Sequence, residues 1–157
     1  MRILGIDPGT AHTGWGIVES KGLKMIEWGI VKTDVSSSHP QRLKKIYGEI
    51  REIIRNYNTQ VLAMEKIFFN VNAKTALSVG EAMGVCMLAA AQEGIEVYEY
   101  TPQEIKQCVV SSGKANKKEV GEGVKTILGL DEIPAPDHAT DALAVAICHA
   151  LKMIKTP

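Results

Sequence analysis

The sequence predicts one α/β domain: a five-stranded mixed sheet flanked by helices. Three observations carry that expectation. Two strand-like apolar runs, residues 2–7 and 13–19, are separated only by a Pro-Gly-rich turn. Further on, short apolar runs alternate with longer runs of helical periodicity, the pattern of a sheet covered on its faces. The chain has 157 residues, 45% hydrophobic and 23% charged, enough for one domain with a sizeable core.

The first strand, residues 2–7, is an apolar run closed by an acid, Asp7. Pro8-Gly9-Thr10 turns the chain into the second strand, residues 13–19, and residues 23–33 give a third, paired to the second across Ser20-Lys21-Gly22. A loop through Ser36 to Pro40 leads into an amphipathic helix with apolar positions Leu43, Ile46, Tyr47, Ile50, Ile53, Ile54 and Tyr57. Residues 61–65 form the fourth strand, again closed by an acid, Glu65. The loop Phe68-Phe69-Asn70-Val71-Asn72 precedes a helix over 73–92, on which Ala76, Gly80 and Gly84 recur every four residues. Small residues at that spacing let another backbone come close, within the monomer or across a dimer. Residues 96–100 are the fifth strand. Thr101 as N-cap, Pro102 at N1 and Glu104 at N3 open a short helix. After a polar loop at 111–116 come a helix over 117–128, stopped by Gly129, and a last helix over 137–154, entered through Pro134-Ala135-Pro136.

No basic segment followed by a long apolar one opens the sequence, so no signal peptide is expected. The longest apolar stretch, Met83 to Ala91, is too short to span a bilayer. Cys86, Cys108 and Cys148 are odd in number and scattered, which suits reduced core thiols and a cytoplasmic location. Lys+Arg and Asp+Glu are both 18, so net charge gives no nucleic-acid signal. Lys106, Lys114, Lys117, Lys118 and Lys125 cluster locally, as a basic patch or as a solvated helix face.

The chemistry lies in four residues. A carboxylate at the end of a buried strand is costly unless compensated, and ligands of such sheets sit at the carboxyl ends of strands. Asp7 and Glu65 are both placed there. His138 and Asp141, three apart, share one helix face. Together the four can build an oxygen-rich site for a divalent metal. Magnesium and manganese prefer oxygen ligands, and manganese tolerates an imidazole. Two such ions would clamp the attacking and leaving oxygens of a phosphodiester. Asp7 would bridge them, Glu65 and Asp141 would take one each or share them, and His138 would ligate a metal or position water. Asp137 reads as an N-cap or first-turn acid. Without metal the three carboxylates should repel and raise at least one pKa.

The whole chain also resembles the RuvC-type Holliday-junction resolvases. The resemblance runs through Ile6-Asp7-Pro8-Gly9-Thr10, Thr13-Gly14-Trp15-Gly16, Ala63-Met64-Glu65-Lys66-Ile67-Phe68 and Asn72-Ala73-Lys74-Thr75-Ala76-Leu77. It continues through Tyr100-Thr101-Pro102, Ile105-Lys106-Gln107, Gly113-Lys114-Ala115-Asn116-Lys117 and Asp137-His138-Ala139-Thr140-Asp141-Ala142-Leu143-Ala144. It implies a ribonuclease H-like fold and a homodimer that resolves four-way DNA junctions in recombination and repair. Resolution would be by symmetric, magnesium-dependent nicks leaving ligatable 5′-phosphate ends, with manganese as a substitute metal. It implies that Asp7, Glu65, His138 and Asp141 are the catalytic tetrad, with His138 at a position where some members carry Asp. It implies a junction-contacting aromatic at Phe68 or Phe69, phosphate contacts from Lys106, Lys114, Lys117 and Lys118, and polar contacts from Thr10, Thr13 and Asn72. The implied partners are the junction and a branch-migration complex of RuvA- and RuvB-type proteins, with no membrane.

Three rivals fit less of the sequence. Gly5 to Thr10 also resembles the first phosphate loop of actin-like sugar kinases and chaperone ATPases, but those need a duplicated domain and a second Gly-rich loop. An RNA-processing nuclease of the same superfamily would share the acids but not the loop after Glu65 or the 105–117 segment. A non-catalytic junction-binding module would gain nothing from clustered acids beside DNA.

Overall fold

The computed structural model describes residues 1–67 and 73–155. Five strands form one sheet: β1 (Arg2–Asp7), β2 (His12–Glu19), β3 (Lys24–Lys32), β4 (Val61–Glu65) and β5 (Glu96–Tyr100). Their spatial order is β3-β2-β1-β4-β5. β1 pairs antiparallel with β2, and β2 with β3, through tight connections. β4 adds to β1 in parallel and β5 to β4 in parallel, which requires a crossover between them. The helices are α1 (His39–Tyr57), α2 (Ala73–Gln92), α3 (Pro102–Val110), α4 (Lys117–Leu128) and α5 (Asp137–Lys155); α2 is the β4–β5 crossover.

Strand alternation assigns each side chain to one of two cores. Leu4, Ile6, Ile17, Leu62 and Met64 pack with Ile46, Ile50 and Ile54 of α1 and with Ala82, Cys86 and Ala89 of α2. Ile3, Val18 and Ala63 pack on the opposite face, with Leu143 and Ile147 of α5 and with Ile105 and Val109 of α3. Gly5 belongs to this second face: a Cβ there would collide with the Ala142 carbonyl, so the missing side chain lets α5 lie close on the sheet. Asp7 stands two residues beyond Gly5, and Glu65 two beyond Ala63. Period-two alternation therefore carries both acids to the α5 face.

Local signals set the helix ends. Thr101 and Glu104 form a reciprocal capping box on α3. Asn116 caps α4 by accepting from the Glu119 N–H, and Gly129 ends it with φ 63°. On α2, Gly80 meets only the Ile67 side chain at an ordinary distance and Gly84 meets nothing within 4 Å. At Gly80 and Gly84, then, no described backbone comes close, contrary to the within-monomer alternative.

By length and composition alone α2 is apolar enough to cross a membrane, a weak signal that core helices also give. Its Val, Leu, Met, Cys and Ala residues set the average over the whole helix, while Glu81 interrupts it, and its Ala82–Ala90 face packs into the core. All three cysteines are free thiols; Cys148 donates to Cys108, Sγ to Sγ 3.0 Å.

Candidate active site

β1 and β4 run side by side with Ile6 opposite Met64, so the acid after each lies at the same edge of the sheet. The first turn of α5 sits over that edge. His138 Nδ1 lies 2.8 Å from Asp7 Oδ2. Asp141, three residues on, faces Lys117 from the start of α4, Nζ to Oδ2 3.2 Å. Lys117 also reaches the exposed first-turn acid Asp137 at 3.9 Å. Thr140 anchors this turn by donating to the Pro134 carbonyl at 2.6 Å. A cleft of about 270 Å³ opens beside Lys117, Lys118, Asp137 and Asp141.

The electrostatics are those of a crowded acid site. Burial raises the pKa of Asp7; its hydrogen bond with His138 opposes the shift without cancelling it, and Asp141 adds repulsion. Although Glu65 is accessible as a residue, withdrawal of its carboxylate from water raises its pKa to about 7, with Asp7 and Asp141 pushing the same way. Lys106 and Lys117 pull it down, which places both ammonium groups within electrostatic reach of Glu65. Burial works against the Lys117 ammonium, but Asp141, Asp137 and Asp7 outweigh it and hold its pKa above the ordinary lysine value.

Among the described residues, no three His, Cys, Asp or Glu side chains close into a ready coordination shell. Asp7 is engaged by His138 and Asp141 by Lys117. The donor set still fits a hard divalent cation. It offers three carboxylates and an imidazole, and two of the carboxylates sit above their ordinary pKa through burial and mutual repulsion, an imbalance a cation would relieve.

The other expected contacts divide. Lys106, on α3, is half-buried near the tetrad, while Lys114 and Lys118 are exposed on the loop before α4 and in its first turn. The Thr10 hydroxyl lies 2.6 Å from Ser78 Oγ, tying the β1–β2 turn to α2. Thr13 is fully buried and donates to the Gly9 carbonyl at 2.7 Å. That corrects its expected role: it braces the turn and offers no hydroxyl to substrate. Phe68, Phe69 and Asn72 lie outside the described residues. Sequence reasoning missed His12, whose ring stacks on that of His138 with centroids 5.8 Å and planes 9° apart. Its signal was parity: His12, Gly14 and Gly16 alternate onto the α5 face of β2.

Fold and site together define a ribonuclease H-like nuclease, with acids at adjacent strand ends under the start of a helix. Residues 3–149 match crossover junction endodeoxyribonuclease RuvC, and the chain belongs to the RuvC family. RuvC of Pelotomaculum thermopropionicum is 53% identical over 152 residues, covering 96% of this chain and 93% of that protein. RuvC of Rubrobacter xylanophilus is 48% identical over 150 residues, covering 94% and 84%. Thermus thermophilus RuvC, solved in complex with Holliday junction substrate, superimposes with a TM-score of 0.91 at 34% identity, covering 99% of this chain and 96% of that one. The yeast mitochondrial Holliday junction resolvase Ydc2 shares the fold, with a TM-score of 0.64 at 14% identity over 98% of this chain and 81% of that one. Nucleases of the RuvC family depend on a divalent metal.

Proposed function

We propose that this protein resolves four-way DNA junctions in homologous recombination and repair. It acts as a homodimer that nicks two opposite strands symmetrically and leaves ligatable 5′-phosphate ends. It works in the cytoplasm with branch-migration partners of the RuvA and RuvB type. The observation that carries this reading is the convergence of Asp7, Glu65, His138 and Asp141, from three distant segments, on one sheet edge with Lys106 and Lys117 beside them.

Asp7, Glu65, His138 and Asp141 would hold the metal, two magnesium ions with manganese able to replace them. When bound, it supplies charge stabilisation at the attacking and leaving oxygens of the phosphodiester. The chain's own residues do the rest. His138 holds Asp7 in place through Nδ1. Lys106 and Lys117 attract the scissile phosphate to the acid cluster, which would otherwise repel it. Lys114 and Lys118 extend this positive rim along the DNA backbone, where phosphate contacts set register and not sequence. Thr10 and Asn72 add polar contacts. Phe68, with Phe69 as the alternative, stacks on an opened base at the junction centre, a contact of about 1–3 kcal/mol.

The test is a labelled four-way junction incubated with magnesium, then manganese, and either wild type or Asp7→Asn. Wild type should give paired nicks that ligase can seal, while Asp7→Asn should bind without cutting. Equal cutting by both, or none by correctly folded wild type, overturns the proposal. In the same assay Phe68→Ala should keep junction binding and lose cleavage.

A further inference from the structure

We propose that His12 is a positioning residue for His138, its ring forming the flat wall that holds the His138 imidazole in plane. The inference rests on the reading of His138 as a member of the metal site.

His138 needs such a wall. Its side chain is 46% exposed, and Nδ1 makes one hydrogen bond, to Asp7. A single bond leaves a ring free to pivot about it. The backbone of His138 is already seated, because Gly14 on β2 leaves room that a Cβ would take from the His138 carbonyl. Two residues earlier on the same strand, hence on the same face, stands His12. Its ring lies nearly parallel to that of His138, 9° between planes. Gly14 thus seats the backbone of His138, Asp7 anchors one nitrogen, and His12 restricts the remaining rotation. The stack thereby sets the plane in which the other nitrogen, Nε2, lies.

The backbone that carries this wall is itself held. His12 pairs with Lys32 in the sheet. Gly9 leaves space for the His12 carbonyl, which a side chain there would strike. Thr13 holds Gly9 in turn through its buried hydroxyl, 2.7 Å from the Gly9 carbonyl. A positioning group mounted on a strand and braced on both sides fixes its neighbour more tightly than one on a free loop.

The test compares His12→Ala, His12→Phe and His138→Ala by Mn²⁺ titration of the DNA-free protein and by single-turnover junction cleavage. His12→Ala should weaken Mn²⁺ binding and slow cleavage by about 10-fold, the lower range for groups that orient metal ligands, with junction affinity unchanged. His12→Phe, a flat ring without nitrogens, should restore most of both. The imidazole ¹⁵N resonances of His138 should broaden in His12→Ala and sharpen again in His12→Phe. Where His12→Ala lowers the melting temperature, His12→Gln, which has bulk without a ring, replaces it. Wild-type behaviour of the ringless variants overturns the proposal. A His12→Phe protein as impaired as His12→Ala does so too, because the nitrogens and not the plane would then matter. Wild-type Mn²⁺ binding and cleavage by His138→Ala would overturn the reading of His138 itself, and the role of His12 with it.

Discussion

α5 meets carboxylates at both of its ends and holds them in opposite states. At its first turn burial and neighbouring acids raise Asp7, and push Glu65 up to about 7. Near its last turns Lys152 of α5 hydrogen-bonds Glu104 of α3, and with the Thr101 N–H brings Glu104 down to about 2. The helix is the same; the supply of partners differs. Glu104 has an ammonium and a backbone donor. Asp7 and Glu65 are withdrawn from water and face each other and Asp141. A carboxylate that holds the frame is satisfied inside the chain. Those at the site are left short of internal partners, the state expected of groups kept for a ligand the chain does not itself provide.

If the site end is maintained at the expense of stability, removing one of its charges should strengthen the fold while removing its activity. Asp7→Asn should slow junction cleavage by about a thousandfold or more, several kcal/mol of lost transition-state stabilisation. In metal-free buffer it should melt a few degrees higher than wild type. A lower melting temperature would show that the Asp7–His138 bond outweighs the repulsion and would reverse the contrast. Lys117→Ala works from the other side. It removes the cation at Asp141 and one that lowers Glu65. Cleavage should fall about 100-fold, the scale for losing one preorganised charge-stabilising group, and metal-free melting should drop.

The two ends should also answer pH with opposite signs. Glu65 is raised from an ordinary 4.5 to about 7, so between those values the folded chain holds a proton that the unfolded chain has lost. Its contribution is fully present below pH 4.5 and is lost as pH rises through about 7. Metal-free melting temperatures should therefore fall across that window, and excess Mg²⁺ should flatten the slope. Metal affinity, conversely, should weaken as pH drops below about 7, because protons compete for the same oxygens. A metal-free protein whose melting is flat across this window would show that Glu65 is not held in the strained state described.

Much of the site end was legible in the sequence, and the reasons are local. Apolar runs closed by Asp7 and Glu65 announced strand-end acids, and the three-residue spacing of His138 and Asp141 fixed one helix face. The frame end was legible as well, since Thr101-Pro102 with Glu104 is a capping signature. What escaped depends on which face a strand turns toward a helix. Thr13 opens the second strand and His12 directly precedes it, and nothing local in the sequence says which of the two faces the site. Alternation sends Thr13 inward to brace Gly9 and His12 outward onto His138. Nor does sequence separation show that Lys152 reaches Glu104, 48 residues away. The Gly80 and Gly84 stripe promised a close backbone, and among the described residues none approaches it.

The smallest expected effect belongs to the frame end. Glu104→Gln removes the ion pair with Lys152 and weakens the capping box of α3, and should destabilise the fold by about 1 kcal/mol. That is less than the bare pKa shift implies, because the Glu104 side chain is 40% exposed and water screens the pair. The sign is opposite to that of Glu65. A lowered carboxylate stabilises the fold above its unfolded value of 4.5 and loses that contribution as pH falls toward about 2. Wild type and Glu104→Gln should therefore differ in melting temperature at neutral pH and converge in acid. Among the described residues Glu104 bonds neither to the acid cluster nor to an expected DNA contact, so junction cleavage well below the melting temperature should be unaffected. Lys106, however, stands two residues further along α3. A loss of cleavage without a loss of melting temperature would mean that the α3–α5 pairing aims Lys106 at Glu65, and that the satisfied end of the helix serves the strained one.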